Sequence, residues 1–131
     1  MIIVKNNSAR SFILFILITG SLFSCKRTEK FTRESWDEGD GITFIKRDLI
    51  LDDLLKTHQL KGLKYKQVTS LLHDPQRHSF TSRSFSYEVT RKMDGIDTLY
   101  TKDLVFYLNS DSVVTDTKVV ERDYKKKKDK K

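Results

Sequence analysis

The chain has a single cysteine, Cys25, at the end of an apolar run, and what this excludes constrains the fold more than any other feature. Lys5 and Arg10 precede the run, Phe12 to Gly20 forms its short apolar centre, and Leu22-Phe23-Ser24 leads into the cysteine. A membrane span needs ~20 apolar residues, so residues 1–24 read as a secretory signal. Taking 24 residues from 131 leaves 107. That is enough for one small domain with a modest core. One cysteine allows no disulfide within the chain. An exported domain of this size must therefore be held by packing alone.

The formal charge of +7 is unevenly placed. Lys5 and Arg10 leave with the signal, and Lys125-Lys126-Lys127-Lys128-Asp129-Lys130-Lys131 carries +5. Between Cys25 and Tyr124, 17 basic residues balance 17 acidic ones. A nucleic-acid binder carries its basic surplus on the fold itself, so no nucleic-acid partner is expected. Residues 125–131 read as a basic, disordered tail.

Residues 25–44 read as a polar tether, interrupted only by Phe31 and Trp36. Trp36 is expected either to cap the domain or to serve as an aromatic anchor for a partner. Asp37-Glu38-Gly39-Asp40-Gly41 lacks the spacing and bidentate Glu of an EF-hand loop and reads as turn chemistry. The domain is then 45–124. Leu51, Leu54 and Leu55 form a helical stripe within Arg47 to His58, and Tyr65, Val68, Leu71 and Leu72 form another within Tyr65 to His73. Gly62 separates the two, and Asp74-Pro75 stops the second. Together they predict an αα-hairpin.

The remainder alternates with a period of two. Phe85, Tyr87 and Val89 form one strand face, Leu99 to Leu108 a second strand, and Val113 to Val120 a third. Asp94-Gly95 and Asn109 to Ser112 are the turns between them. The predicted fold class is α+β, a two-layer sandwich with the αα-hairpin packed on a three-stranded antiparallel β-meander.

Chemistry-bearing constellations are sparse. His58, His73 and His78 lack the spacing of a metal site, and no thiol is available to join them, so neither metal nor cofactor is expected. No nucleophile elbow, phosphate-cradling loop or dinucleotide fingerprint occurs. Asp52-Asp53 sits on the first helix with one carboxylate expected in water. The chain is not expected to be an enzyme.

Leu22-Phe23-Ser24-Cys25 resembles the lipobox of bacterial lipoproteins. The resemblance implies acylation of Cys25, cleavage before it, and membrane lipid as a partner. Further on, Arg47-Asp48, Asp52-Asp53-Leu54-Leu55, Leu60 to Val68 and Leu71-Leu72-His73-Asp74-Pro75 resemble the small lipoproteins of the SmpA/OmlA family. That family has Gly where this chain has His73. The resemblance implies an outer-membrane location and a protein partner, since one member is an accessory subunit of β-barrel assembly. A secreted β-lactamase inhibitor shares the fold, so inhibition of an extracytoplasmic enzyme is the alternative. Lys26-Arg27 forms no acidic cluster after Cys25, which favours the periplasmic face. Trp36, Tyr87 and Tyr107 are the candidate protein contacts.

Overall fold

The computed structural model describes residues 27–125. The signal, Cys25 and most of the lysine-rich run lie outside these residues. Among the described residues, three helices precede four strands: α1 (Arg33–Asp37), α2 (Arg47–Thr57), α3 (Tyr65–Leu72), β1 (Arg77–Ser79), β2 (Ser84–Asp94), β3 (Asp97–Leu108) and β4 (Val114–Asp123). The strands pair antiparallel in chain order, β1-β2-β3-β4. The fold class is α+β. The expected helices fall at Arg47 and Tyr65 as the leucine stripes require. Gly62, at φ +86, breaks the chain between them.

The expected meander of three strands is a meander of four. β1 escapes sequence reading because Arg77-His78-Ser79 has no apolar alternation and forms only against β2, with Arg77 opposite Ser86 and Ser79 opposite Ser84. A three-residue polar edge following Pro75 is a common way to end a sheet without inviting further pairing. The helical layer also differs from the expected pair. α1 packs against both α2 and α3, making a trio.

The tether assigned to residues 25–44 is corrected from Glu29 onward. The Glu29 N–H donates to Leu49 O at 2.9 Å, and the Phe31 N–H donates to Asp53 Oδ2 at 2.7 Å. Thr32 caps α1, its Oγ1 accepting from the Ser35 N–H. Trp36, on α1, is fully buried. Its neighbours are Phe31 and Tyr87, both edge-to-face at about 6 Å. The Asp37 to Gly41 stretch is a turn. Asp40 Oδ1 accepts from the Thr43 and Ile42 N–H groups, which hold its carboxyl below the usual carboxylate range. A side chain at Gly39 would place its Cβ 1.9 Å from Thr43 O, so only glycine fits.

The core lies between the helical layer and one sheet face. Phe85 and Phe106 stack at 4.9 Å across β2 and β3, and Tyr65 and Tyr87 meet Phe85 edge-on. Ile50, Leu54, Val68 and Leu72 close the helical side. His73, at the C-cap of α3, holds φ +61 and ψ −164, a conformation close to glycine-only. Its Nε2 pairs with Asp37 Oδ2 at 2.9 Å on the surface. Relief of about 1–3 kcal/mol of strain outweighs a surface pair worth about 0–1 kcal/mol. His73→Gly is therefore expected to raise stability by about 1 kcal/mol, visible as a Tm increase of about 4–8 °C in a thermal melt.

Candidate protein-docking face

A strand sends successive side chains to opposite faces. In β3, Leu104 and Phe106 enter the core. Thr101, Asp103, Val105 and Tyr107 consequently share the other face. Strand register then fixes the rows across the sheet. Arg77, Ser86, Val105 and Lys118 form one row, and Ser79, Ser84, Tyr107 and Asp116 the next. Toward the β2–β3 turn, Glu88, Asp103 and Val120 form a third row, followed by Arg91, Thr101 and Arg122. The helices pack on the opposite face, and among the described residues no element covers this one.

Its centre is a charge cluster. Asp103 is 1% exposed although it faces away from the core. Arg77 Nη1 donates to both of its oxygens at 3.1 Å, and Arg122 Nη1 donates to Oδ2 at 2.8 Å. Arg77 Nη2 also donates to Glu88 Oε2 at 3.0 Å, and Arg91 forks onto the same carboxylate. That hydrogen bond holds Arg91 above the usual guanidinium range. Two carboxylates are thus sealed under three arginines, whose outer edges are half-exposed. Forked guanidinium–carboxylate bonds are directional, so the arginines are held in fixed positions. Asp103→Asn is expected to lower stability by about 2 kcal/mol, the scale of a charged hydrogen bond, measured by urea denaturation. The loss is limited because Arg77 and Arg122 can rehydrate.

Beside this cluster lies a hollow of about 390 Å³ lined by Ser79, Ser84, Ser86, Val105, Tyr107 and Val120, with Arg77 and Arg122 at its rim. Lys118 Nζ stands 5.7 Å from the Tyr107 ring centroid. The arrangement offers a small apolar floor, a row of hydroxyls and pre-set cationic donors. These are the elements of a protein interface with an aromatic centre and polar rim.

The sequence-predicted contacts separate here. Tyr107 is half-buried on the open face. Trp36 and Tyr87 are corrected: both are fully buried in the core and present no ring to a partner. The Tyr87 hydroxyl donates to His73 O at 2.6 Å, inside the fold. Burial pushes its phenol pKa up, so it stays a neutral donor. Cys25 lies outside the described residues. The histidines sit apart: His58 against Phe31, His73 against Asp37, and His78 near Tyr65. Among the described residues, no group of three His, Cys, Asp or Glu comes together as a metal site would need.

Sequence reading missed Arg77, Glu88, Arg91, Asp103 and Arg122. A faint signal was present, since Glu88 and Asp103 interrupt apolar strands at the outward parity. It also missed the buried Arg47. Arg47 Nε donates to Trp36 O at 2.7 Å, and Nη1 donates to Glu88 O at 2.7 Å and Gln76 Oε1 at 2.8 Å. Its guanidinium lies 3.4 Å and 4.7 Å from the ring centroids of Phe44 and Trp36. Burial lowers its pKa to about 10, Asp37 opposing, so it is charged at neutral pH. It joins α1, α2 and β2 and positions the sheet rather than forming part of the open face. No family model matches this chain, and comparison with curated proteins and with solved structures finds no match.

Proposed function

We propose that this protein is a lipid-anchored, non-enzymatic interaction module of the cell envelope that receives a protein partner on its uncovered sheet face. The observation that carries the reading is the hollow around Val105, Tyr107 and Val120 between Arg77 and Arg122. A rigid cationic rim around an aromatic centre suits an acidic protein surface. The anchor rests on Lys5, Arg10, the apolar run and Leu22-Phe23-Ser24-Cys25. Non-enzymatic action is supported by Glu88 and Asp103, whose oxygens are occupied by arginines. The SmpA/OmlA resemblance directs the search for a partner toward outer-membrane assembly, with the domain on the periplasmic face.

Because the fold begins at Glu29, only residues 26–28 separate Cys25 from its first tie at Leu49. Four Cα steps reach at most ~14 Å. An acyl anchor at Cys25 would hold the domain close against the bilayer and raise its effective concentration for a partner there. A photoreactive residue at position 107 in living cells is expected to capture an envelope protein, and capture is expected to fall several-fold in Cys25→Ala. The same probe at Ser70, exposed on α3, is expected to capture none. Equal capture at both positions would overturn the docking face.

A further inference from the structure

β2 and β3 continue past the helical layer as a two-stranded arm in which residues 91–97 are all exposed. Gly95, at φ +57, opens the tight turn at its tip. Ile96 stands out there, 96% exposed, with Met93 also exposed nearby. β4 accompanies the arm as far as Asp123, opposite Tyr100, and the Tyr124 N–H donates to Leu99 O. The described chain therefore ends beside the arm, at Lys125. The arm's own charges cancel, Arg91 and Lys92 against Asp94 and Asp97. Positive charge at this end comes from the run, at +5.

Residues 29–31 run alongside α2. α2 starts at mid-sheet, with Arg47 on Glu88 O and Asp48 on Lys102 Nζ. It runs away from the arm, and the chain beyond it meets Val113 through Lys64. Glu29 is tied to Leu49 in its first turn and Phe31 to Asp53 one turn later. The chain before Glu29 therefore arrives from the arm side. The loop directly before α2 carries Ile42 and Ile45, 77% and 64% exposed. Cys25 lies within ~14 Å of Glu29 along an extended chain. From Lys102 to Ile96 the arm covers six residues, ~20 Å at strand spacing. The arm therefore extends roughly 6 Å further than the chain from Glu29 to Cys25 can reach.

Apolar residues exposed singly need no partner. Here they lie on the side where the described chain enters before Glu29 and leaves at Lys125. From this juxtaposition we propose that the hairpin tip at Ile96 sits in the head-group layer of the bilayer that holds acylated Cys25, with the lysine-rich run on its anionic lipids. An apolar tip combined with clustered lysines is what an interfacial contact requires, and Asp94 and Asp97 make the lysines necessary. The arm then acts as a foot that sets the domain's orientation. The inference rests on the Cys25 anchor.

The test uses the full lipidated chain in vesicles, with an environment-sensitive dye on Ile96→Cys or, at the other end of the sheet, on Phe80→Cys. In vesicles containing phosphatidylglycerol the dye at 96 is expected to shift to the blue and to be quenched from water several-fold more slowly than the dye at 80. High salt, or deletion of residues 125–131, is expected to remove most of that protection. Equal quenching at both positions, in protein that still floats with neutral vesicles, would overturn the orientation alone. Failure to float with neutral vesicles, with a second dye on Cys25, would overturn the anchor and the orientation with it.

Discussion

Arg47→Met is expected to destabilise the protein by about 3–5 kcal/mol, a large part of the ~5–15 kcal/mol available to a small domain. The substitution leaves the carbonyls of Trp36 and Glu88 without the Arg47 donor, while the side-chain oxygen of Gln76 keeps the Glu88 N–H. Each buried acceptor left unpaired costs about 1–3 kcal/mol. The ring contacts with Phe44 and Trp36 also go, worth about 2 kcal/mol when desolvated. The recovered cost of burying a guanidinium offsets part of this sum. Arg47→Lys is expected to recover little, because one ammonium cannot span three acceptors as a planar fork does. Arg33→Met, at an exposed arginine of α1, is the control and should lie within about 0.5 kcal/mol of the parent. Urea denaturation followed by circular dichroism measures all three.

Trp36→Ala is expected to cost about 3–5 kcal/mol, the range for removing a large buried aromatic. The residue lies in a segment whose composition resembles a linker. A linker substitution would cost nearly nothing, so this variant asks directly whether the domain begins near Glu29. Trp36→Phe is expected to cost clearly less. It keeps a ring against Tyr87 and Phe31 and removes an indole N–H that finds no acceptor among the described residues. The cavity term and the orphan donor thus act in opposite directions, and the Ala–Phe difference separates them. Chemical denaturation with matched m-values is the measurement.

Local pattern and long-range pairing explain which features the sequence disclosed. Leu51, Leu54 and Leu55 marked α2 because a helix packed on a sheet repeats its apolar face every three to four residues. Phe85, Tyr87 and Val89 marked β2 by strict alternation, and that alternation placed Tyr87 in the core. The Tyr87 hydroxyl finds its acceptor on His73, 14 residues away, which local pattern does not disclose. Val68 and Leu72 were legible for the same reason as the leucines of α2.

The remaining features depend on partners distant in the chain. β1 exists only because Arg77, His78 and Ser79 meet residues 84–86. Residues 29–37 fold because Leu49, Asp53 and Arg47 receive them, and nothing in their own polarity announces it. The open-face cluster follows the same logic. Arg77, Asp103 and Arg122 are separated by 26 and 19 residues, and only the register of four strands unites them. His73 is the instructive intermediate. The glycine expected at a helix end by family resemblance matches the left-handed backbone found there, although the residue is not glycine.

The packed domain begins within four residues of Cys25, the proposed anchor, and among the described residues leaves one sheet face open and one arm free. The most direct test is the intact mass of the protein purified from cell envelopes in detergent. The account predicts a chain that begins at Cys25 and carries the added mass of a diacylglycerol and an amide-linked acyl group. A chain cut elsewhere, with a free thiol at Cys25 and no lipid mass, would contradict it.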